Sequence, residues 1–142
     1  MSNDFPLYTT DYISGVMSLR KPQSQSLKIL EEITNAVQLR KGMKAALGAV
    51  HAMYPICSDF ERDFMSLTFA LATGVGKTRL MGAFIAYLYT QHHIRNFFVV
   101  APNTTIFEKL KKDLSDNNSA KYVFKGLGWF WPMPRAPADH YG

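Results

Sequence analysis

Two glycines, a lysine and a threonine follow one another closely in residues 73–79, which have the sequence "TGVGKTR". Glycine allows backbone conformations that are closed to other residues, so a loop of this kind can turn several N–H groups toward an anion. The lysine supplies a mobile cation for the β- and γ-phosphates of a nucleotide, and the threonine hydroxyl suits the accompanying Mg²⁺. The predicted nucleotide-binding residues of the loop are Thr73, Gly74, Val75, Gly76, Lys77, Thr78 and Arg79. Lys77 and Thr78 are the predicted catalytic residues, Thr78 as the Mg²⁺ ligand.

The loop departs from the general phosphate-binding pattern at one position. The pattern GxxxxGK[ST] places a glycine five residues before Gly76, where this chain has Leu71. The shorter pattern TGxGKT is met, and it lies between an apolar run and a helical one. A glycine-rich turn without a ligand is the alternative interpretation.

The elements around the loop alternate between strand-like and helix-like patterns. Residues 63–72, "DFMSLTFALA", and residues 96–102, "NFFVVAP", are short apolar runs typical of buried strands. The run that starts at Lys77 has helical length and is apolar on most sides. Another helix is predicted for "NTTIFEKLKKDLSDNN", which ends at Asn117 and Asn118. Strands alternating with helices predict an α/β fold, a parallel sheet with flanking helices.

The N-terminal half is predicted to be mainly helical. Pro22 suits the first turn of a helix, and apolar residues then recur at spacings of three and four until Gly42. A second, short helix is predicted for "MKAALGAVHAMY", before Pro55. Residues 1–18 have no clear periodicity and are predicted to be an extended lead-in. Residues 126–142 are rich in proline and aromatic residues and form a separate tail, predicted to be disordered, truncated or used for docking.

Three stretches resemble superfamily 2 helicases and translocases, and most closely the Res subunit of type III restriction enzymes. "ALATGVGKTRLM" resembles motif I, "FFVVAPNTTIFEKL" resembles motif Ia, and "LRKPQSQSL" resembles the N-terminal glutamine element. The resemblance implies a partial RecA-like P-loop NTPase lobe over residues 19–125, with Gln23 reading the adenine edge. It also implies that Asn103, Thr104 and Thr105 contact the DNA backbone. The alternative interpretation is that these residues cap the helix that follows them, since their residue types favour that position.

The same resemblance implies ATP and Mg²⁺ as cofactors and DNA, double-stranded in this family, as partner. A modification or specificity subunit is a further implied partner. ATP hydrolysis would drive translocation on DNA in the full-length protein.

The acidic pair that accompanies motif I in this family is not found downstream. No Asp-Glu dipeptide follows Lys77, and the aspartates there lie on a predicted helix or in the tail. We therefore expect an N-terminal fragment or a truncated reading frame that binds nucleotide but turns it over little.

Composition and charge suit a cytoplasmic nucleotide- or DNA-binding protein. The single cysteine, Cys57, excludes an internal disulfide framework and is interpreted as a small buried residue. The longest apolar run has ten residues, too few to cross a membrane, and the N-terminus lacks a signal-peptide pattern. Residues 72–142 contain nine Lys/Arg and four Asp/Glu, a surplus of +5 that suits a polyanion. His92 and His93 lack further ligands for a metal.

Two other hypotheses remain open. A non-enzymatic nucleotide- or DNA-binding module would act through a partner, with Trp129 and Trp131 as docking residues. A small P-loop phosphotransferase would need several arginines after the loop, where Arg79, Arg95 and Arg135 are few and scattered.

Overall fold

The computed structural model describes residues 9–37 and 42–127, and within these ranges it contains five helices. They are α1 (Thr10–Val16), α2 (Lys21–Ala36), α3 (Met43–Met53), α4 (Lys77–His92) and α5 (Thr104–Ser115). The four longer helices occupy the stretches in which the apolar periodicity predicted helices. In the described part of the chain, no helix is both long and apolar enough to span a bilayer.

Helix α1 lies within residues 1–18, which were predicted to be extended, and the structure is helical over Thr10–Val16 instead. Residues 1–8 lie outside the described residues. Thr9 caps it, because its hydroxyl accepts a hydrogen bond from the Tyr12 N–H at 3.2 Å. Ile13 and Met17 are fully buried against the helices that follow. A helix of seven residues has too few turns for a clear sequence period, so its stability depends on this packing.

Helix α2 is amphipathic and contributes to two hydrophobic cores. Its N-terminal half buries Leu27 and Leu30 against α1 and α4, while Ile33 packs with α3 and Phe60. Pro22 lies in its first turn, as predicted, where the missing N–H has no intrahelical partner. The helix therefore connects the core beneath the glycine-rich loop to a second, smaller core.

Helix α4 is the central element, since it contacts α1, α2 and α5. Gly82 allows the closest approach, because an added Cβ would lie 2.8 Å from Val123 Cγ2. The segment containing Val123, Phe124 and Leu127 is buried in the same core. Leu127, the last described residue, is buried in this core. The domain bounds at residues 19–125 and 126–142 stay predictions. The rest of the predicted tail lies outside the described residues.

The predicted parallel sheet is wrong for the described residues, none of which is in a β-strand. Residues 66–72 and 94–101 have no regular secondary structure, and no backbone hydrogen bond joins one segment to the other. Their apolar side chains pack on α4 instead: the Phe69 and Phe84 rings lie 4.8 Å apart, and residues 97–100 line a cavity with Phe84 and Leu88. An apolar run indicates only that a segment tends to be buried. A β-strand also requires a neighbouring strand with which it exchanges backbone hydrogen bonds. The RecA-like lobe is therefore not observed.

Candidate nucleotide-phosphate site

The glycine-rich loop leads directly from the apolar segment of residues 66–72 into α4. Gly74 has φ +81° and Gly76 has φ +88°, in the region that only glycine adopts without strain. Gly76 is also the residue that precedes the first turn of α4. The sequence-predicted glycines therefore lie where the backbone has to change direction.

The N-terminus of α4 is available to an anion. No side chain caps this helix, and no acidic residue lies in its first turn. Its first N–H groups have no intrahelical acceptors, and they carry the positive end of the helix dipole. A phosphate group at this position would accept hydrogen bonds from them.

Lys77 and Thr78 place their side chains at this helix end. Lys77 is exposed, Thr78 is half-buried, and neither has a side-chain hydrogen bond or ion pair within residues 9–37 and 42–127. An unpaired ammonium and an unpaired hydroxyl next to free N–H groups fit a triphosphate with its Mg²⁺. When bound, that ion would supply charge neutralisation of the phosphates.

Gln23 holds the loop from the side of α2. Its Nε2 donates to the carbonyl oxygens of Val75 and Gly76, at 2.8 Å each, and its Oε1 accepts from the Arg20 N–H at 2.7 Å. The side chain is 2% exposed. The sequence resemblance predicted that Gln23 reads the adenine edge of the nucleotide. That role stays a prediction.

Two arginines flank the loop and bind backbone carbonyls. Arg20 Nη1 donates to the Gly74 oxygen at 3.4 Å, which adds a second link between α2 and the loop. Arg79 Nη1 donates to the Met17 oxygen at 2.7 Å, at the C-terminal end of α1. A cation at a helix C-terminus is stabilised by the dipole, so Arg79 fastens α1 to α4. Its predicted contact with nucleotide stays untested.

A polar network near the C-terminal end of α4 was missed by sequence reasoning. The Tyr87 hydroxyl lies 2.9 Å from Thr34 Oγ1 and 3.1 Å from His92 Nε2. Because the Thr34 hydroxyl donates to the Leu30 carbonyl at 2.8 Å, the Tyr87 hydroxyl donates to Thr34 and accepts from His92. A tyrosine and a threonine at apolar positions of two helices were the only sequence signal.

Burial changes the proton affinity of this network. It raises the pKa of the Tyr87 hydroxyl, although the Thr34 hydrogen bond acts in the opposite direction. It lowers the pKa of His92, and the neighbouring His93 adds to that effect. Tyr87 is therefore a neutral hydrogen-bonding residue, and His92 favours its uncharged form.

The predicted DNA-contacting residues lie at the N-terminus of α5. Asn103 caps this helix, with its side chain accepting from the Ile106 N–H at 2.9 Å. Thr104 and Thr105 are exposed in the first turn. The capping interpretation of Asn103 is therefore confirmed, and the first turn remains open to an external phosphate.

Acidic residues and metal ligands are few in this part of the molecule. No cluster of three His, Cys, Asp or Glu suitable for a metal occurs among the described residues. Asp113 and Asp116 belong to α5 and its C-terminal end. The described residues around the loop offer backbone amides, an ammonium and hydroxyls, groups that can donate hydrogen bonds to a phosphate.

The comparisons with known proteins agree with motif I and its context. The family model described as "Type III restriction enzyme, res subunit" matches residues 16–129. No curated protein and no solved structure matches the sequence significantly. The family match covers most of the chain and includes the glycine-rich loop, Gln23 and α5. The chain belongs to the type III restriction enzyme Res subunit family.

Proposed function

We propose that the chain binds the triphosphate of Mg-ATP in the loop of residues 73–79. The observation that carries this proposal is the pair of glycines with positive φ, which leads into an uncapped helix N-terminus beside unpaired Lys77 and Thr78. Family membership supports the choice of ATP among phosphate ligands.

In this proposal each group has one task. The N–H groups at the start of α4 bind the phosphate oxygens, the Lys77 ammonium neutralises the β- and γ-phosphates, and the Thr78 hydroxyl ligates Mg²⁺. Arg79 remains bound to α1 and fixes the orientation of the first turn of α4. The chain's own residues therefore bind and orient the nucleotide.

Duplex DNA is the second proposed ligand, at the first turn of α5. Thr104 and Thr105 can donate hydroxyl hydrogen bonds to phosphate oxygens, next to the N–H groups that Asn103 leaves free. The positive charge surplus of residues 72–142 would strengthen this contact. In the full-length protein, ATP hydrolysis would drive movement along DNA, together with a modification or specificity subunit. A cytoplasmic location, where ATP and DNA meet, belongs to the same proposal.

Hydrolysis by this polypeptide is expected to be slow. Phosphoryl transfer requires carboxylates that order Mg²⁺ and the attacking water. After Lys77 the acids are Glu108, Asp113, Asp116 and Asp139, and no two of them are adjacent. The lack of an adjacent acidic pair after Lys77 also supports the second candidate, a nucleotide- and DNA-binding module without ATP turnover.

Replacement of Lys77 by alanine tests nucleotide binding. We expect Lys77→Ala to weaken Mg-ATP binding by at least about tenfold in isothermal titration, because a charge-assisted contact contributes about 1.5–3 kcal/mol. Lys44→Ala is the matched control, since Lys44 is also an exposed lysine in the first turn of a helix. Equal affinities of the two variants, or no binding by the unmodified chain at millimolar Mg-ATP, would refute the proposal. Rapid DNA-stimulated turnover lost in Lys77→Ala would refute the binding-only candidate.

A further inference from the structure

The side of α4 that faces residues 97–100 is apolar and open to solvent. Between the two lies a cavity of about 230 Å³, lined only by apolar residues, namely Met81, Phe84, Ile85, Leu88, Phe97, Phe98, Val99 and Val100. Phe98 and Val100 are 93% and 72% exposed. Contiguous apolar side chains at the surface of a soluble protein mark a place where another group docks. We call this surface the apolar face of α4.

The backbone along the apolar face of α4 is also unpaired. The Ile94 N–H donates to the Leu88 carbonyl at 3.2 Å, but among the described residues no backbone–backbone hydrogen bond involves residues 95–100. A polypeptide segment with apolar side chains fills such a cavity and also offers N–H and C=O groups to this backbone. A small apolar molecule would fill the cavity alone, so the face is suited to an apolar stretch of chain.

The protein itself contains such a stretch directly after the described residues. Residues 128–132 have the sequence "GWFWP", with three consecutive aromatic side chains. Aromatic side chains bury more apolar area than any others, so their docking is strongly favoured. An apolar cavity of about 150 Å³ is enough to enclose a benzene ring. The cavity on α4, at about 230 Å³, therefore accommodates an aromatic side chain.

Leu127 places the start of this stretch beside α4. It is 2% exposed, in the core that also contains Ala83 of α4. Phe84, Ile85 and Leu88 pack against this core and also line the cavity, so one helix joins the two. A helix with its side chains is about 10–12 Å across, and the four residues after Leu127 can span up to about 13 Å. The aromatic side chains can therefore reach round α4 within the same chain.

We propose that residues 129–131 fold back within the same chain and cover the apolar face of α4. A tryptophan side chain fills the cavity, and the backbone of the segment bonds to residues 95–100. The contact removes from water a face that would otherwise be open to association with a second copy of the chain. This inference is independent of nucleotide and DNA binding.

Tryptophan fluorescence tests the contact directly, because both tryptophans of the chain, Trp129 and Trp131, lie in the docking segment. We expect the folded chain to emit at shorter wavelength than the chain unfolded in urea, and acrylamide to quench its emission less. Phe98→Asp should move the emission of the folded chain to longer wavelength and increase quenching. Ile56→Asp is the matched control, since Ile56 is 92% exposed but lies outside the apolar face of α4, and it should change neither.

Val100→Asp repeats the test at a second exposed position of the same face. Because Phe98 and Val100 are both largely exposed, circular dichroism should show an unchanged helix content in both variants.

Three results would overturn the inference. The first is equal emission wavelength and quenching in the folded and the urea-unfolded chain, which would show that both tryptophans are in water. The second is unchanged emission in both aspartate variants, or the same change in Ile56→Asp. The third is a shift to shorter wavelength that appears only as protein concentration rises, together with a dimer in sedimentation, which would assign the face to a second copy of the chain.

Discussion

Individual residues at the loop are constrained from two sides. Gly76 has a left-handed backbone and also faces the Gln23 amide, so both its conformation and its missing side chain are required. Gly74 has a positive φ but open space around its Cα, so at that position only the conformation requires glycine. Glycine is therefore required at these two positions of the motif for different physical reasons.

Substitution of Gly76 by alanine should be costly. We expect Gly76→Ala to lower the free energy of unfolding by about 1–3 kcal/mol, since a non-glycine residue is strained at this φ, and the new Cβ displaces Gln23. Urea unfolding followed by circular dichroism measures the change. Gly48→Ala is the control, because an added Cβ meets nothing there and the residue lies inside α3, where alanine is favoured by up to about 1 kcal/mol. Equal stabilities of the two variants would contradict this account of the loop.

At the scale of elements, α4 joins the candidate site to the core. Its N-terminus bears Lys77, its middle approaches the segment of Val123, and its C-terminal turn is tied to α2 through Tyr87, Thr34 and His92. The apolar pattern predicted that α4 is buried, and this is confirmed by Leu80, Ala83, Ala86 and Tyr87. The pattern did not predict which neighbours bury it.

The His92 contact should make stability depend on pH. Its pKa is lowered by burial, so below the ordinary value of 6.5 the unfolded chain takes up a proton before the folded chain does. The free energy of unfolding is therefore expected to fall as pH decreases through 6.5 toward the folded pKa, and to be fully restored above 6.5. Urea unfolding between pH 5 and pH 8 measures this slope.

His92→Gln is the matched variant for that experiment, because it retains a hydrogen-bond donor without a titrating group. Subtracting its pH profile leaves the contribution of the His92 side chain alone. An identical slope in the two proteins would show that His92 does not carry the effect.

At the scale of the whole molecule, the helices are packed, and the segments of residues 66–72 and 94–101 are not paired with each other. Phe98 and Val100, in the second segment, are 93% and 72% exposed, although they border the cavity along α4. α5 follows this segment and presents its first turn to solvent. The proposed nucleotide and DNA surfaces thus lie at the N-termini of two helices that contact each other, α4 and α5.

Thr105→Glu separates DNA contact from helix capping. A carboxylate in the first turn of α5 should stabilise the helix by about 0.3–1 kcal/mol, yet it repels a DNA phosphate at the same place. We expect weaker binding to a labelled duplex in fluorescence anisotropy, with affinity falling as salt rises from about 50 to 200 mM. Thr105→Gln keeps the side-chain length without the charge and should bind more tightly than Thr105→Glu. Equal duplex affinities of the two variants would refute contact at this turn.

Sequence reasoning alone predicted the local features of this protein. The phosphate loop, the four longer helices and the cap at Asn103 each depend on residues close together in the chain, through glycine conformation, apolar period or a side chain that bonds its own helix. The family also followed from short motifs, and its match confirms that part.

Tertiary structure decided the features that need distant partners. The segments of residues 66–72 and 94–101 are not paired with each other. Helix α1 forms because Ile13 and Met17 pack into a core, and Gln23 donates to carbonyls more than fifty residues away. The local sequence indicates which side chains of a segment tend to be buried and which tend to form hydrogen bonds. Which group satisfies that preference depends on how the whole chain packs, because hydrogen bonds and burial belong to pairs of residues and not to one alone.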